Sequence, residues 1–183
     1  MKNIWKSVIG LTLGTTVLAG ATFAVERDAA NYVGWKTCGI CHKKDDCGNQ
    51  VAKWQASPHA KAFETLGTPE AKEVGKKFGV DNPQTSGKCL KCHSTAYNFT
   101  EAVTTEKIKP EDGVVCESCH GPGKKYMTKT TMEDKAKAVA AGLVDPATQS
   151  CKLCHNDQSP SFKGFDEKVM VEKIAHPDPK VKH

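Results

Sequence analysis

Eight of the nine cysteines in this 183-residue chain fall in four pairs with two residues between them, and a histidine directly follows each pair. The motifs are Cys38-Gly39-Ile40-Cys41-His42, Cys89-Leu90-Lys91-Cys92-His93, Cys116-Glu117-Ser118-Cys119-His120 and Cys151-Lys152-Leu153-Cys154-His155. Two thiols at this spacing reach the two vinyl groups of a porphyrin and form thioethers, and the adjacent histidine then meets the iron from the proximal side. Zinc ribbons also use paired cysteines, but zinc has no need of a histidine after every second one. A redox dithiol of the thioredoxin kind explains a single pair, not four followed by histidine in the same way. The pattern implies four covalently bound haem c groups, and therefore one-electron chemistry.

Counting the remaining ligands makes the four irons unequal. The chain has seven histidines. Four are proximal, which leaves His59, His176 and His183 for four distal positions. At least one iron must carry methionine, another ligand or nothing on that side, and exchange between identical subunits does not alter the ratio. Ser57 as cap and Pro58 in a first turn predict a helix on which His59, Phe63 and Leu66 share a face suited to a porphyrin. His176 closes a predicted helix from Asp166 to Ala175 with Pro177 as its stop. The plain alternatives are a surface or core histidine for His59 and a helix-end histidine facing the dipole for His176. His183 is terminal and reads as solvated. Met127, Met132 and Met170 are thioether alternatives, although most methionines simply fill gaps.

The elements that must hold these residues are few. Lys2 and Lys6 followed by an apolar run from Ser7 to Ala24 read as a cleaved signal peptide over residues 1–24. The remaining 159 of the 183 residues suit one domain, 25–183, exported to the periplasm or cell surface of a bacterium. That domain is poor in core-forming side chains: mean hydropathy is −0.49 even with the signal included. The expected fold is mainly α and loop-rich, with haem plates filling the core, and the haem-free chain is expected to be unfolded. Motif starts lie 51, 27 and 35 residues apart, too irregular for a repeat array. A domain this small must still pack its haems close together. Without Lys2 and Lys6 the formal charge of +5 becomes +3, and it does not point to nucleic acid, because four oxidised haems, each with two propionates against one positive charge at its iron, contribute about −4 and reverse the sign. Lys43-Lys44, Lys76-Lys77 and Lys124-Lys125 then read as solvated or as a docking rim.

The chain resembles the cytochrome c-554 family. The resemblance rests on Trp54 and Ser57-Pro58-His59-Ala60-Lys61-Ala62-Phe63 after the first motif, on the second motif, on Gly113-Val114-Val115-Cys116 through His120-Gly121-Pro122-Gly123, and on the fourth motif with the tail Phe165-Asp166-Glu167 to His176. It implies that His59 is the distal ligand of the haem on His155 and His176 that of the haem on His120. The haem on His93 would be five-coordinate. The family's distal histidine for the first haem falls shortly after Gly-Pro-Gly, yet Lys124 to Lys137 contains none. The iron on His42 is left with Met127, Met132, His183 or no sixth ligand. A short insertion after His42 carries Cys47, whose plainest reading is a small buried side chain.

The sequence thus reads as an electron relay between redox proteins, with no transmembrane segment once the signal is removed. Two other classes stay open: a reductase of a nitrogen oxide at a five-coordinate iron, and a filament subunit in which His183 serves a neighbouring copy.

Overall fold

The structure, a computed structural model, describes residues 28–97, 104–144 and 151–180. The expected signal peptide, residues 1–24, and His183 lie outside the described residues. Helices and turns joined by loops make up the described chain, which agrees with the expected mainly α, loop-rich class. The helices are α1 (Trp35–His42), α2 (Gln50–Gln55), α3 (Ala62–Thr65), α4 (Pro69–Lys77), α5 (Gly87–His93), α6 (Cys116–His120), α7 (Lys129–Met132), α8 (Lys135–Ala140) and α9 (Glu167–Ile174). Each is at most nine residues long. Isolated helices this short are not stable in water, so tertiary contacts must hold them.

The polypeptide supplies few apolar contacts. Its buried apolar cluster is Tyr32, Ala96 and Ile108, with Ala29 against it. Around this small centre the segments are tied by buried polar groups. Thr95 N donates to the Gly113 carbonyl at 2.9 Å, its Oγ1 accepts from Val115 N at 2.8 Å, and the same hydroxyl pairs with Ser118 Oγ at 2.6 Å. Ser94 Oγ donates to the Pro110 carbonyl. The residues that follow the second motif are thereby fastened to those that open the third.

Two sequence expectations change in detail. The helix expected from Pro58 begins only at Ala62. The His59 carbonyl accepts the i+3 turn bond from Ala62 N and also the distant Val114 N, so residues 58–61 form turns and not an α-helix. Ser57 therefore caps nothing, and its buried Oγ has no partner. Thr131 and Met132 also suggest a helix start, with the helix running to near Gly142, but that stretch is broken. Met132 ends α7, and Asp134 starts α8 by accepting from Lys137 N. The final helix runs Glu167–Ile174 with Asp166 as its side-chain cap, as the pattern indicated.

Candidate haem centres

Four short segments carry the motif histidines: the ends of α1, α5 and α6, and the turn Cys151–Leu153 just before His155. α1 opens at Gly34 without a side-chain cap of its own. The Glu117 carboxylate serves in that role from α6: Oε1 accepts from Val33 N and Oε2 from Gly34 N, both at 2.9 Å. The same Oε1 also accepts from Gly123 N at 2.7 Å. Glu117 is only 3% exposed, so a single buried carboxylate binds the segment before the first motif, the third motif and the Gly-Pro-Gly that follows it. Burial pushes its pKa above the usual carboxylate range, and the three N–H groups pull it part of the way back. Tyr126 closes the same corner, its hydroxyl donating to the Gly121 carbonyl at 2.6 Å and reaching the His120 carbonyl at 3.0 Å.

The histidines fall into two facing pairs. His59 and His155 have ring centres 6.0 Å apart with planes at 71°. His120 and His176 have ring centres 6.0 Å apart with planes at 69°. Phe165 stacks on His155 at 4.4 Å, covering one ring face and leaving the in-plane nitrogens free. Burial, with the nearby charge of His155, holds His59 below the ordinary imidazole pKa; burial and His93 do the same to His155. Both rings are thereby kept in the neutral form that binds metal. His93 and His176 direct Nδ1 to the backbone carbonyls of Ala62 and Ile174, each at 2.8 Å. Nδ1 is then the protonated nitrogen in each, and Nε2 is the one able to ligate.

His59 owes its place to the third motif. Val114 N donates to its carbonyl, and Trp54 Nε1 donates to the Val114 carbonyl at 2.8 Å. Gly113 makes this close approach possible: it has φ +70°, and a Cβ there would lie 2.9 Å from the carbonyl oxygens of both His59 and Ala60.

The motifs also meet one another. The Cys38 and Cys116 thiols are neighbours, and their interaction raises the pKa of the first and lowers that of the second. A hydrogen bond from Cys154 lowers the Cys92 thiol to about 7, and Lys91 Nζ reaches Gln158 Oε1 at 2.9 Å beside it. Burial pushes Cys119 up to about 11, with Cys151 and Cys116 contributing charge. In space the first motif lies beside the third and the second beside the fourth, and the residues after the second are also fastened to the third. Met127 is 47% exposed and follows the clamped Gly123 by one turn. Cys47 is half-buried. Among the described residues no group of three or more His, Cys, Asp or Glu could by itself hold a metal ion, so the cysteine pairs do not converge as a zinc ribbon would require.

Residues 37–121 match the protein-family model described as cytochrome c554 and c-prime. Cytochrome c-554 of Nitrosomonas europaea is 32% identical over 168 residues, covering 81% of this chain and 67% of the relative. The chain belongs to the cytochrome c-554 family. It is a c-type cytochrome, an electron carrier with covalently bound haem c, and its partners are redox proteins. No solved structure matches. No helix among the described residues is long and apolar enough to cross a membrane.

The residues present fit the cofactor. A metal between two facing imidazoles, with metal–nitrogen bonds of about 2.0–2.1 Å and each ring centre about 1.1 Å behind its nitrogen, places the centres about 6.3 Å apart. Both histidine pairs of this cytochrome stand at 6.0 Å. Glu117, Tyr126 and Thr95 are the supports that motif reading missed. Glu117 had a visible signal, an acidic side chain between apolar Val115 and the free amides of Gly-Pro-Gly. Thr95 and Tyr126 had none.

Proposed function

We propose that this cytochrome carries four haem c groups and relays electrons between redox proteins outside the cytoplasm. Cys38 and Cys41, Cys89 and Cys92, Cys116 and Cys119, and Cys151 and Cys154 attach the haems, and His42, His93, His120 and His155 hold the irons. His59 completes the iron on His155, and His176 completes the iron on His120. The spacing of those two pairs is the observation that carries the reading. When bound, each haem supplies reversible one-electron chemistry. The chain supplies the rest: it sets its attachment points side by side, first with third and second with fourth, and it keeps the ligating imidazoles neutral and oriented.

Met127 is the sixth ligand assigned to the iron on His42. Its support is the Glu117 clamp, which ties Gly123, four residues before Met127, to Val33 and Gly34 at the start of the helix that carries Cys38 and His42. The iron on His93 is read as open, as the family resemblance implies. The protein is read as one domain, residues 25–183, delivered to the periplasm or cell surface after loss of residues 1–24.

Electron paramagnetic resonance of the oxidised protein tests the whole assignment. The expected spectrum holds two bis-histidine low-spin irons, one histidine–methionine low-spin iron and one high-spin iron. Four bis-histidine signals, or no high-spin iron and no response to carbon monoxide, overturn it. An open iron that turned over a nitrogen oxide rapidly in the isolated protein would instead favour a reductase.

A further inference from the structure

Among the histidines assigned to iron, His93 and His176 direct Nδ1 to backbone carbonyls. His42 differs: its Nδ1 faces a side chain, the carboxamide oxygen of Gln50, at 3.4 Å. The orientation of that carboxamide is set from its other end. Gln50 Nε2 donates to the Cys47 carbonyl, which can only accept. Oε1 is thereby turned to His42, Nδ1 of His42 carries the proton, and its Nε2 is left for iron.

The loop that delivers Gln50 is the insertion after His42. It passes through a turn at Asp45–Cys47 and then two left-handed residues, Gly48 at φ +93° and Asn49 at φ +45°. Gly48 is required there, since a Cβ would stand 2.7 Å from the Pro177 carbonyl. Asn49 caps α2 by accepting from Ala52 N and donates to Asp45 Oδ1 at 2.9 Å. Gln50 is thus the first residue of α2, and side chains on a helix lean towards its N-terminus, here towards the loop and α1. The residues after His176 seat on the same loop, with Pro177 and Pro179 against Gly48 and Lys180 paired with Asp46 at 2.6 Å.

We infer that Gln50 is a positioning residue for the first haem. By accepting a hydrogen bond from Nδ1–H it fixes the tautomer and plane of His42 and raises the basicity of that ligand, which lowers the potential of the first haem. The insertion serves this delivery, and Cys47 contributes its carbonyl and not its thiol. The inference rests on His42 holding a haem.

The test is a redox titration of the holoprotein followed by electron paramagnetic resonance, with haem content measured by pyridine haemochrome. Gln50→Leu removes the acceptor and is expected to shift the first haem about tenfold towards its reduced form, about 59 mV for one electron. Gln50→Glu supplies a stronger acceptor and is expected to shift it the opposite way. The other three haems stay where they were. Four haems present with the first potential unmoved, moved in the same direction by both substitutions, or accompanied only by lost stability, overturns the inference. Three haems in the unsubstituted protein, with the Cys38–His42 peptide found unmodified by mass spectrometry, overturns the haem assignment instead.

Discussion

Glu117 combines roles that usually belong to several residues. It is a helix cap for α1, a latch on Gly123 and a buried carboxylate next to a haem-attaching cysteine. Removing it as Glu117→Ala strands three buried N–H groups, and the expected cost is roughly 3–5 kcal/mol. Glu117→Gln keeps the Oε1 bonds but sets an N–H against Gly34 N, so it should cost less. Guanidinium unfolding of the holoprotein measures both. The pH dependence has a definite sign. A carboxyl whose folded pKa is raised holds its proton in the folded state after the unfolded chain has lost it. Stability from this group is therefore greatest below the ordinary carboxylate pKa of 4.5, falls as pH rises through the folded value, and levels off above it. The thermal midpoint of Glu117→Gln should lack that fall. At the ligands, His59→Ala is expected to turn the haem on His155 high-spin and leave the haem on His120 low-spin, with His176→Ala doing the reverse. The residue scale is where the sequence was most legible. Thioether chemistry fixes both the type and the spacing of its residues, so the eight cysteines and the next histidines stand out without any structure. Thr95 and Gln50 did not stand out, because a hydrogen-bond acceptor works from any position in the sequence that folding brings near.

The elements were legible where a cap writes itself into the sequence. Asp166 and Pro177 bracket α9 as expected, and Thr68 with Pro69 opens α4 by accepting from Ala71 N. They were misread where a backbone group is claimed from far away. Ser57-Pro58 looks like a helix start, yet the His59 carbonyl is shared with Val114 N, a partner 55 residues along the chain that no local pattern reveals. This contact makes the Gly113 strip the true support of His59. Gly113→Ala would place a methyl group 2.9 Å from two carbonyl oxygens in a left-handed backbone conformation, at a cost of at least about 2 kcal/mol. The strip must then retreat from the His59 turn. The expected readout is selective: a new high-spin signal from the haem on His155, with the haem on His120 unchanged. A uniform loss of stability with both signals intact would show that the strip does not position His59.

For the molecule as a whole, the sparse apolar content of the sequence reappears as eleven buried apolar side chains among the described residues, of which only Tyr32, Ala96 and Ile108 pack into one cluster. So small a cluster cannot offset the entropy of ordering a domain of this size. Alanine at all eight motif cysteines should leave a chain without stable helix by far-ultraviolet circular dichroism, cut rapidly by protease. A compact, resistant product would show that the polypeptide folds without its cofactors. The adjacency of the motifs was foreseen only in general terms. Compactness requires neighbours but does not choose them, and the pairing of first with third and second with fourth comes from polar links such as Glu117 to Val33 and Gly34 and Lys91 to Gln158.

Those pairings also constrain how the protein can be made. Cys38 and Cys116 come from different motifs, as do Cys92 and Cys154, and in each case the two thiols lie near enough to shift a pKa. Thiols held so near in an oxidising compartment are an invitation to the wrong bond, a cross-link that would spend one cysteine from each of two attachment sites. Maturation must therefore outrun folding: the cofactors have to be fastened while the chain is still reduced and open, and the final architecture closes over them afterwards.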